Sequence, residues 1–216
     1  MCYASVMFEG IAIVGILIMS IVLHEVAHGW MANALGDPTA KLQGRLTANP
    51  VSHIDPIGSV LIPGFLYFSG AGFLFGWAKP VPYNPHQIRS PFGWHHKWAE
   101  FLVAAAGPGM NIILALIFAG LTQVAPSPEL AALFVIPVYI NILLAFFNLI
   151  PFPPLDGSKM LSTLLPRTQA YAYDRFLRRV ESYGMFASLL FIFVFITFFS
   201  KPFFAFVTTV VATLTQ

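Results

Sequence analysis

Residues 8–29 read FEGIAIVGILIMSIVLHEVAHG, an apolar run that ends in ionisable residues. About 20 apolar residues in a helix are enough to cross the hydrocarbon layer of a membrane. A secretory signal peptide is the alternative, but no Lys or Arg precedes the run and Glu9 lies where a basic residue is expected. We therefore predict a retained transmembrane helix.

The composition places most of the surface in lipid. Of the 216 residues, 57% are hydrophobic and only 9% are charged, whereas soluble domains carry about 25% charged residues. The net charge of +2 is small and its basic residues are dispersed, so no nucleic-acid partner is expected. The single cysteine, Cys2, excludes an internal disulfide and a metal site built from cysteines.

Five apolar stretches predict an all-α polytopic membrane protein, a bundle of about four to six transmembrane helices. They are Phe8–Gly29, Ile57–Gly76, Ala99–Val124, Leu130–Ile150 and Tyr183–Leu214. The last contains Lys201-Pro202, and is either one kinked helix or a span with a returning segment.

The connections are of two kinds. Asp37–Pro56 and Trp77–Trp98 are rich in Pro, Asn, His and Gly, which predicts extended loops near the active site. Thr168–Tyr183 alternates apolar and basic residues in the manner of an amphipathic helix on a membrane surface. With no linker or repeat, residues 1–216 are expected to form one domain.

His24-Glu25-Val26-Ala27-His28 is an H-E-x-x-H motif within the first apolar stretch. Residues i and i+4 share one face of a helix, so His24 and His28 can bind one zinc ion. The carboxylate of Glu25 would then take a proton from a water activated by the metal. A chance match and a structural Glu–His pair are the alternatives, but an ionisable group at membrane depth is costly and usually functional.

A third ligand is expected in the segment NLIPFPPLDG, residues 148–157, where an apolar span ends. Its three prolines cannot continue a helix, which suits the presentation of a side chain to a metal. Asp156 is the candidate, and an ordinary Asp-Gly turn is the alternative.

Together these motifs resemble the site-2 protease family of intramembrane zinc metalloproteases. The resemblance covers residues 8–165 and rests on three signatures in the family's order: His24-Glu25-x-x-His28, Gly107-Pro108-x-x-Asn111, and Asn148-x-x-Pro151 followed by Leu155-Asp156-Gly157. The chain has no room for a PDZ domain and is similar to the short, minimal subgroup.

The resemblance implies a role for each of these residues. His24, His28 and Asp156 would bind one zinc ion, and Glu25 would be the general base. Asn111 and Asn148 would hold the substrate backbone or stabilise the developing oxyanion. Asn also caps helices and bonds between spans, and this remains the alternative for both.

The ligands impose a condition on the topology. If Ile57–Gly76 crossed the membrane, the ligands would emerge at opposite faces and could meet only near the midplane. Gly and Pro interrupt this stretch repeatedly, which fits a re-entrant segment that returns to its own side. With a returning stretch, ten of the eleven basic residues lie on the active-site face. With a crossing stretch, two of those ten would lie on one face and eight on the other. The positive-inside rule makes the active-site face cytoplasmic, in the cell membrane.

Three further features lie in the loops. His53 is a possible accessory residue, as an extra ligand, a substrate-positioning group or a partner of the zinc ligands; a capping or solvated loop histidine is the alternative. Asp55 could orient one of the zinc-binding imidazoles. Trp77–Pro82 has extended character and could pair with an unwound substrate.

The predicted function is an intramembrane zinc endopeptidase that hydrolyses peptide bonds in or near transmembrane segments of membrane protein substrates. Its other partner is the lipid bilayer. The alternative, a membrane metal-binding or transport protein, would need a polar pathway across several spans, and the spans carry few polar residues. A catalytically dead scaffold is disfavoured by the presence of Glu25.

Overall fold

The computed structural model describes residues 2–70, 76–89 and 96–216. Within these residues the regular structure is helical. The helices are α1 Cys2–Ala34, α2 Thr39–Leu42, α3 Ile62–Phe68, α4 His96–Gln123, α5 Pro128–Asn148, α6 Asp156–Leu164, α7 Arg167–Ser182, α8 Met185–Val194 and α9 Ser200–Leu214. A 3₁₀ turn, Pro50–His53, and two π-type turns, Pro56–Leu61 and Phe195–Phe199, complete it.

Four helices in the described part of the chain are long and apolar enough to cross a membrane. They are Gly10–Ala34, Lys97–Gln123, Pro128–Asn148 and Met185–Leu214. This confirms the prediction of an all-α polytopic membrane protein, at the lower end of the predicted number of spans.

Helix α4 lies at the centre and packs against α1, α5 and α6. Many of its buried positions are small, among them Ala99, Ala115 and Ala119. In lipid the hydrophobic effect does not drive helices together. Helices associate through close van der Waals packing instead, and small residues allow the close approach that this packing needs. Helix α9 packs through Val207 and Val211 against α4 and α5.

The outer surface of the bundle is apolar. Phe186 is 77% exposed and Phe193 is 67% exposed, both on α8. Exposed aromatic side chains in such number would make a water-facing surface aggregate, whereas a bilayer solvates them. The fold therefore fits lipid around its spans.

The stretch predicted to be re-entrant has its two ends close together. From Pro56 to Phe68 its helical part has 13 residues, at most about 20 Å long at 1.5 Å per residue. The Trp77 N–H donates to the Gly58 carbonyl at 3.1 Å, and the Ser59 hydroxyl donates to the Trp77 carbonyl at 2.8 Å. The two ends therefore meet, as a returning segment requires; residues 71–75 of the stretch lie outside the described residues.

The C-terminal apolar region is one irregular helix from Met185 to Leu214. Its π-type turn, Phe195–Phe199, lies just before Pro202. Because proline has no N–H, the carbonyl one turn earlier loses its partner, and local widening of the helix accommodates this and the proline ring. Of the two alternatives for Lys201-Pro202, the structure shows the single helix.

Helix α7 is the amphipathic helix that the sequence predicts, shifted by one residue at each end. Ala170 and Leu177 are buried against the bundle. Tyr171 and Phe176 are exposed, and the Arg175 guanidinium lies 4.9 Å from the centre of the Tyr171 ring. Such a helix suits the boundary between lipid and water.

Asp37 joins the end of α1 to the extended segment that passes the site. It is fully buried and accepts hydrogen bonds from the Thr39 N–H at 3.0 Å and the Asn84 N–H at 2.5 Å. Burial alone would raise the pKa of Asp37, but the hydrogen bonds from Thr39 and Asn84 lower it. The carboxylate therefore stays charged and holds the loop over the end of α1.

Candidate metal centre and active site

The side chains of His24, His28 and Asp156 meet at one point between α1 and α6. The Asp156 Oδ2 atom lies 3.2 Å from the Nε2 atom of each histidine, and the two Nε2 atoms lie 3.1 Å apart. The side chain of His24 is 7% exposed and that of Asp156 is 13% exposed. The helical spacing of four residues places both imidazoles on the same face of α1, as predicted.

Helix α4 fixes the tautomer of both imidazoles. The Nδ1 atom of His28 lies 2.7 Å from the Val103 carbonyl oxygen, and Nδ1 of His24 lies 2.6 Å from Asn111 Oδ1. A carbonyl oxygen can only accept, so each Nδ1 carries the proton and donates it. In the neutral imidazoles that bind a metal, each Nε2 then keeps its lone pair, and both Nε2 atoms face Asp156.

This arrangement fits a zinc ion. Three acceptor atoms that face one another without a proton repel, and a cation among them removes that repulsion. A tetrahedral zinc ion with bonds of about 2.0–2.1 Å holds its ligands about 3.3 Å apart, close to the observed 3.1 and 3.2 Å. In the described ranges no other cluster of three His, Cys, Asp or Glu side chains is arranged to hold a metal.

Gly107 leaves the room that the two imidazoles need. A Cβ atom at this position would lie 2.3 Å from His28 Nε2 and 2.6 Å from His24 Nε2. Val103, Gly107 and Asn111 follow at intervals of four, so one face of α4 provides a carbonyl, a gap and an amide in succession. The sequence motif includes Gly107 but does not reveal this reason for it, and no sequence signal marks the Val103 carbonyl.

Asn111 continues into a buried polar network. Its Nδ2 donates to Asn141 Oδ1 at 2.9 Å, and the Asn141 Nδ2 donates to the Ser20 hydroxyl at 3.0 Å. Asn111 is 0% exposed. Asn111 thus contacts His24 and Asn141, on two other spans, as the alternative of an amide bonded between helices predicts. Contact of Asn111 with substrate stays a prediction.

The segment before α6 delivers Asp156 to the histidines. Helix α5 ends at Asn148, and Asp156 is the first residue of α6. A Cβ atom on Gly157 would lie 2.1 Å from the Leu149 carbonyl oxygen. The glycine therefore lets the start of α6 lie directly against the end of α5, and the carboxylate points to the imidazoles.

Glu25 lies beside the cluster but is not part of it. Its Oε2 accepts a hydrogen bond from the Val81 N–H at 3.0 Å. That bond holds one carboxylate oxygen towards the extended segment that follows the re-entrant stretch. A carboxylate next to the ligands, and not among them, is what a general base requires.

Most backbone N–H groups of the extended segment Trp77–Pro82 are hydrogen-bonded within the protein. Those of Trp77, Lys79 and Val81 bond to Gly58, His53 and Glu25. The prolines at 80 and 82 have no N–H, so Ala78 has the one N–H between residues 77 and 82 that an added strand could use. Pairing of Trp77–Pro82 with a substrate would rest mainly on the carbonyl oxygens of this segment.

Asn148 and His53 lie outside the cluster. Asn148 is partly exposed and its Nδ2 donates to the Leu144 carbonyl at 3.0 Å. His53 is 2% exposed, and its Nε2 lies 2.9 Å from the Thr47 carbonyl oxygen. The alternative of a solvated loop histidine is therefore wrong. An accessory role stays a prediction, and His53 is not among the clustered ligand atoms.

The expectation that Asp55 orients a zinc-binding imidazole is wrong. The Asp55 carboxylate accepts from the Ile57 and Gly58 N–H groups at the start of the π-type turn. Both imidazole Nδ1 positions are already bonded, to Asn111 and to Val103. The sequence suggested Asp55 by proximity along the loop, which does not determine where a side chain points.

Comparison with known proteins agrees with this geometry. The chain is 38% identical over 191 residues to the "Putative zinc metalloprotease YwhC" of Bacillus subtilis (strain 168), covering 84% of this chain and 78% of the relative. Residues 122–195 match peptidase family M50. The chain belongs to this family, the site-2 proteases.

More distant relatives extend the comparison. The chain is 31% identical over 157 residues to the "Putative zinc metalloprotease Rip2" of Mycolicibacterium smegmatis. That match covers 70% of this chain but only 57% of the relative, so the chain spans little more than half of the mycobacterial protein. No solved structure matches the chain.

Replacement of Gly107 tests the close approach of α4 to the site. We expect Gly107→Ala to weaken zinc binding by about tenfold or more, because the new methyl group displaces both imidazoles. Alanine favours helix over glycine, so a loss cannot come from weaker helix formation. Zinc affinity of the purified protein in detergent, measured against a competing chelator, provides the readout.

The matched control is Gly109→Ala, two residues along α4, where a Cβ atom would meet nothing within 4 Å. This variant should bind zinc like the wild type. Equal zinc affinity of the two alanine variants would contradict the role assigned to Gly107.

Proposed function

We propose that this M50 protein is an endopeptidase that hydrolyses peptide bonds within or next to transmembrane segments of membrane protein substrates. Family membership makes it a membrane-embedded zinc metalloprotease. The observation that carries the finer proposal is the convergence of the lone pairs of His24, His28 and Asp156 inside the helix bundle.

The depth of the site supports cleavage in the membrane. His24 lies 10 residues before Ala34, the end of the first span, which is about 15 Å along a helix. The hydrocarbon layer is about 30 Å thick, so with Ala34 at its boundary His24 would lie inside the layer. A peptide bond that reaches these ligands must itself enter the membrane region.

The chemistry follows from the positions of the side chains. A zinc ion held by His24, His28 and Asp156 would polarise the scissile carbonyl and lower the pKa of the attacking water. Glu25 takes a proton from that water and passes it to the leaving amine. The Val81 N–H holds one Glu25 oxygen during this exchange, and Val103 and Asn111 keep both Nε2 lone pairs available.

A substrate must unwind before it can be cleaved, because a helix hides its carbonyls in its own hydrogen bonds. The extended segment beside Glu25 and the partly exposed Asn148 are the groups that we propose to receive the unwound backbone. Asn148 lies in the last turn of α5, seven residues before Leu155. Leu155 is followed directly by Asp156, the proposed zinc ligand. We propose that Asn148 contacts the unwound backbone of the substrate.

The buried polar residues of the spans favour an enzyme over a transporter. Ser20, Asn111 and Asn141 bond to one another and to His24. Their hydrogen-bonding groups are engaged in orienting a ligand, and they do not form a series of open sites across the bundle. This pattern supports a fixed catalytic centre.

Basic residues support a cytoplasmic orientation of the site in the cell membrane. With four spans and a returning stretch, ten of the eleven share the face of the site. They are Lys41, Arg45, Lys79, Arg89, Lys97, Lys159, Arg167, Arg175, Arg178 and Arg179. The start of α1 then lies on the outer face.

Replacement of Glu25 tests the proposed activity. Glu25→Gln should abolish cleavage of a model membrane substrate while the protein keeps its zinc, because the base is lost and the ligands remain. Asp156→Ala should instead lower the zinc content, with cleavage lost as a consequence. Cleavage by the glutamine variant would refute the role of Glu25, and full zinc content of the alanine variant would remove Asp156 from the ligand set.

Labelling of the single cysteine tests the orientation. In intact cells a membrane-impermeant maleimide should label Cys2, since it lies at the start of α1 on the proposed outer face. A matched control moves the cysteine to the site face by combining Cys2→Ser with Lys41→Cys. That variant should be labelled only after the membrane is permeabilised, and the reverse pattern would invert the topology.

A further inference from the structure

The segment that carries Asp156 is held by helices that contain none of the three motifs. Tyr173, on α7, donates its hydroxyl proton to the Pro151 carbonyl at 2.8 Å. Phe191, on α8, stacks on Phe152 with ring centres 4.4 Å apart and planes inclined by 9°. Two neighbouring residues of this segment are thus held from two different helices.

The segment is stiff enough to transmit these contacts. Prolines occupy positions 151, 153 and 154, and each fixes its own φ near −65°. The Leu155 N–H bonds to the Phe152 carbonyl at 2.9 Å, and the Ser158 N–H bonds to the Leu155 carbonyl at 3.1 Å. A shift of Phe152 would therefore carry through Leu155 to the first turn of α6, where Asp156 lies.

Phe191 is itself firmly placed. Its ring lies 6.0 Å from that of Phe195, and Phe195 packs against Phe147 at 5.4 Å and Phe203 at 5.2 Å. Edge-to-face aromatic contacts at such distances stabilise a fixed geometry. This aromatic cluster joins the C-terminal helix to α5 and presents Phe191 to Phe152.

We propose that Tyr173 and Phe191 are positioning residues for the metal centre. They hold Pro151 and Phe152 so that the Asp156 carboxylate lies within reach of both imidazoles. The inference rests on the proposed role of Asp156 as a zinc ligand. It gives the C-terminal helices a function in zinc binding, although they contribute no ligand.

The first test removes one hydroxyl group. Tyr173→Phe should weaken zinc binding about fivefold, the usual worth of one hydrogen bond, and should alter the visible absorption spectrum of the cobalt-substituted protein. Tyr171→Phe is the matched control on the same helix, because Tyr171 is 62% exposed and its hydroxyl has no hydrogen bond within the described residues. The control should leave zinc affinity and the cobalt spectrum unchanged.

The second test removes the stacked ring. Phe191→Leu keeps an apolar side chain but loses the stack on Phe152, and it should weaken zinc binding and change the cobalt spectrum in the same direction. Phe193→Leu is its control, since Phe193 lies on the same helix and is 67% exposed. Melting temperatures of all four variants separate a general loss of stability from a change at the metal.

Asp156→Ala, measured in the same assay, distinguishes the two levels of the proposal. If it leaves zinc affinity unchanged, the ligand set itself is wrong. If it weakens binding while Tyr173→Phe and Phe191→Leu bind zinc like their controls, only the positioning role is wrong. Lower melting temperatures with unchanged zinc affinity and cobalt spectra would likewise overturn that role.

Discussion

The structure depends on one electrostatic constraint: three metal-binding atoms, the Nε2 atoms of His24 and His28 and the Asp156 Oδ2, lie within 3.2 Å of one another. His24 and His28 donate their ring protons away from this point, to Asn111 and Val103. In the low dielectric of a helix bundle the remaining lone pairs repel strongly. A bound cation turns this repulsion into attraction, so the same ion that would activate water also ties α1 to α6.

The bilayer explains why so many polar groups near the metal site are hydrogen-bonded within the protein. Lipid provides no water to satisfy stray polar groups, so each polar side chain near the site needs a partner in the protein. Ser20, Asn111 and Asn141 meet that need by bonding to one another. The re-entrant stretch meets it through the hydrogen bonds between its ends, and it keeps the extended segment beside Glu25.

The sequence predicted the parts of the site that have a fixed spacing. His24, Glu25 and His28 follow from helical periodicity, and the glycines and prolines after Pro56 indicated the returning stretch. The proline-rich end of the span made Asp156 the candidate for the third ligand, and the family resemblance supported it. The Val103 carbonyl was unpredictable because every residue has a carbonyl, and only the rotation of α4 against α1 selects this one.

Other contacts escaped the sequence for the same physical reason. For Asn111 the sequence left a substrate contact and an amide between spans as alternatives, and only the packing of α4 and α5 shows its contact with His24; its contact with substrate stays a prediction. Asp55 was expected at an imidazole, but it caps its own turn, a local backbone contact that Asp side chains favour. Tyr173 and Phe191 carry no motif, and their contact with residues 151–152 arises only when the C-terminal helices fold back onto the bundle.

X-ray absorption at the zinc edge of the purified wild-type protein tests the central claim most directly. We expect one zinc ion per chain, with scattering from two imidazole rings and with nitrogen and oxygen neighbours at about 2.0–2.1 Å. A single imidazole, a sulfur neighbour, or a six-coordinate shell of oxygens would contradict it.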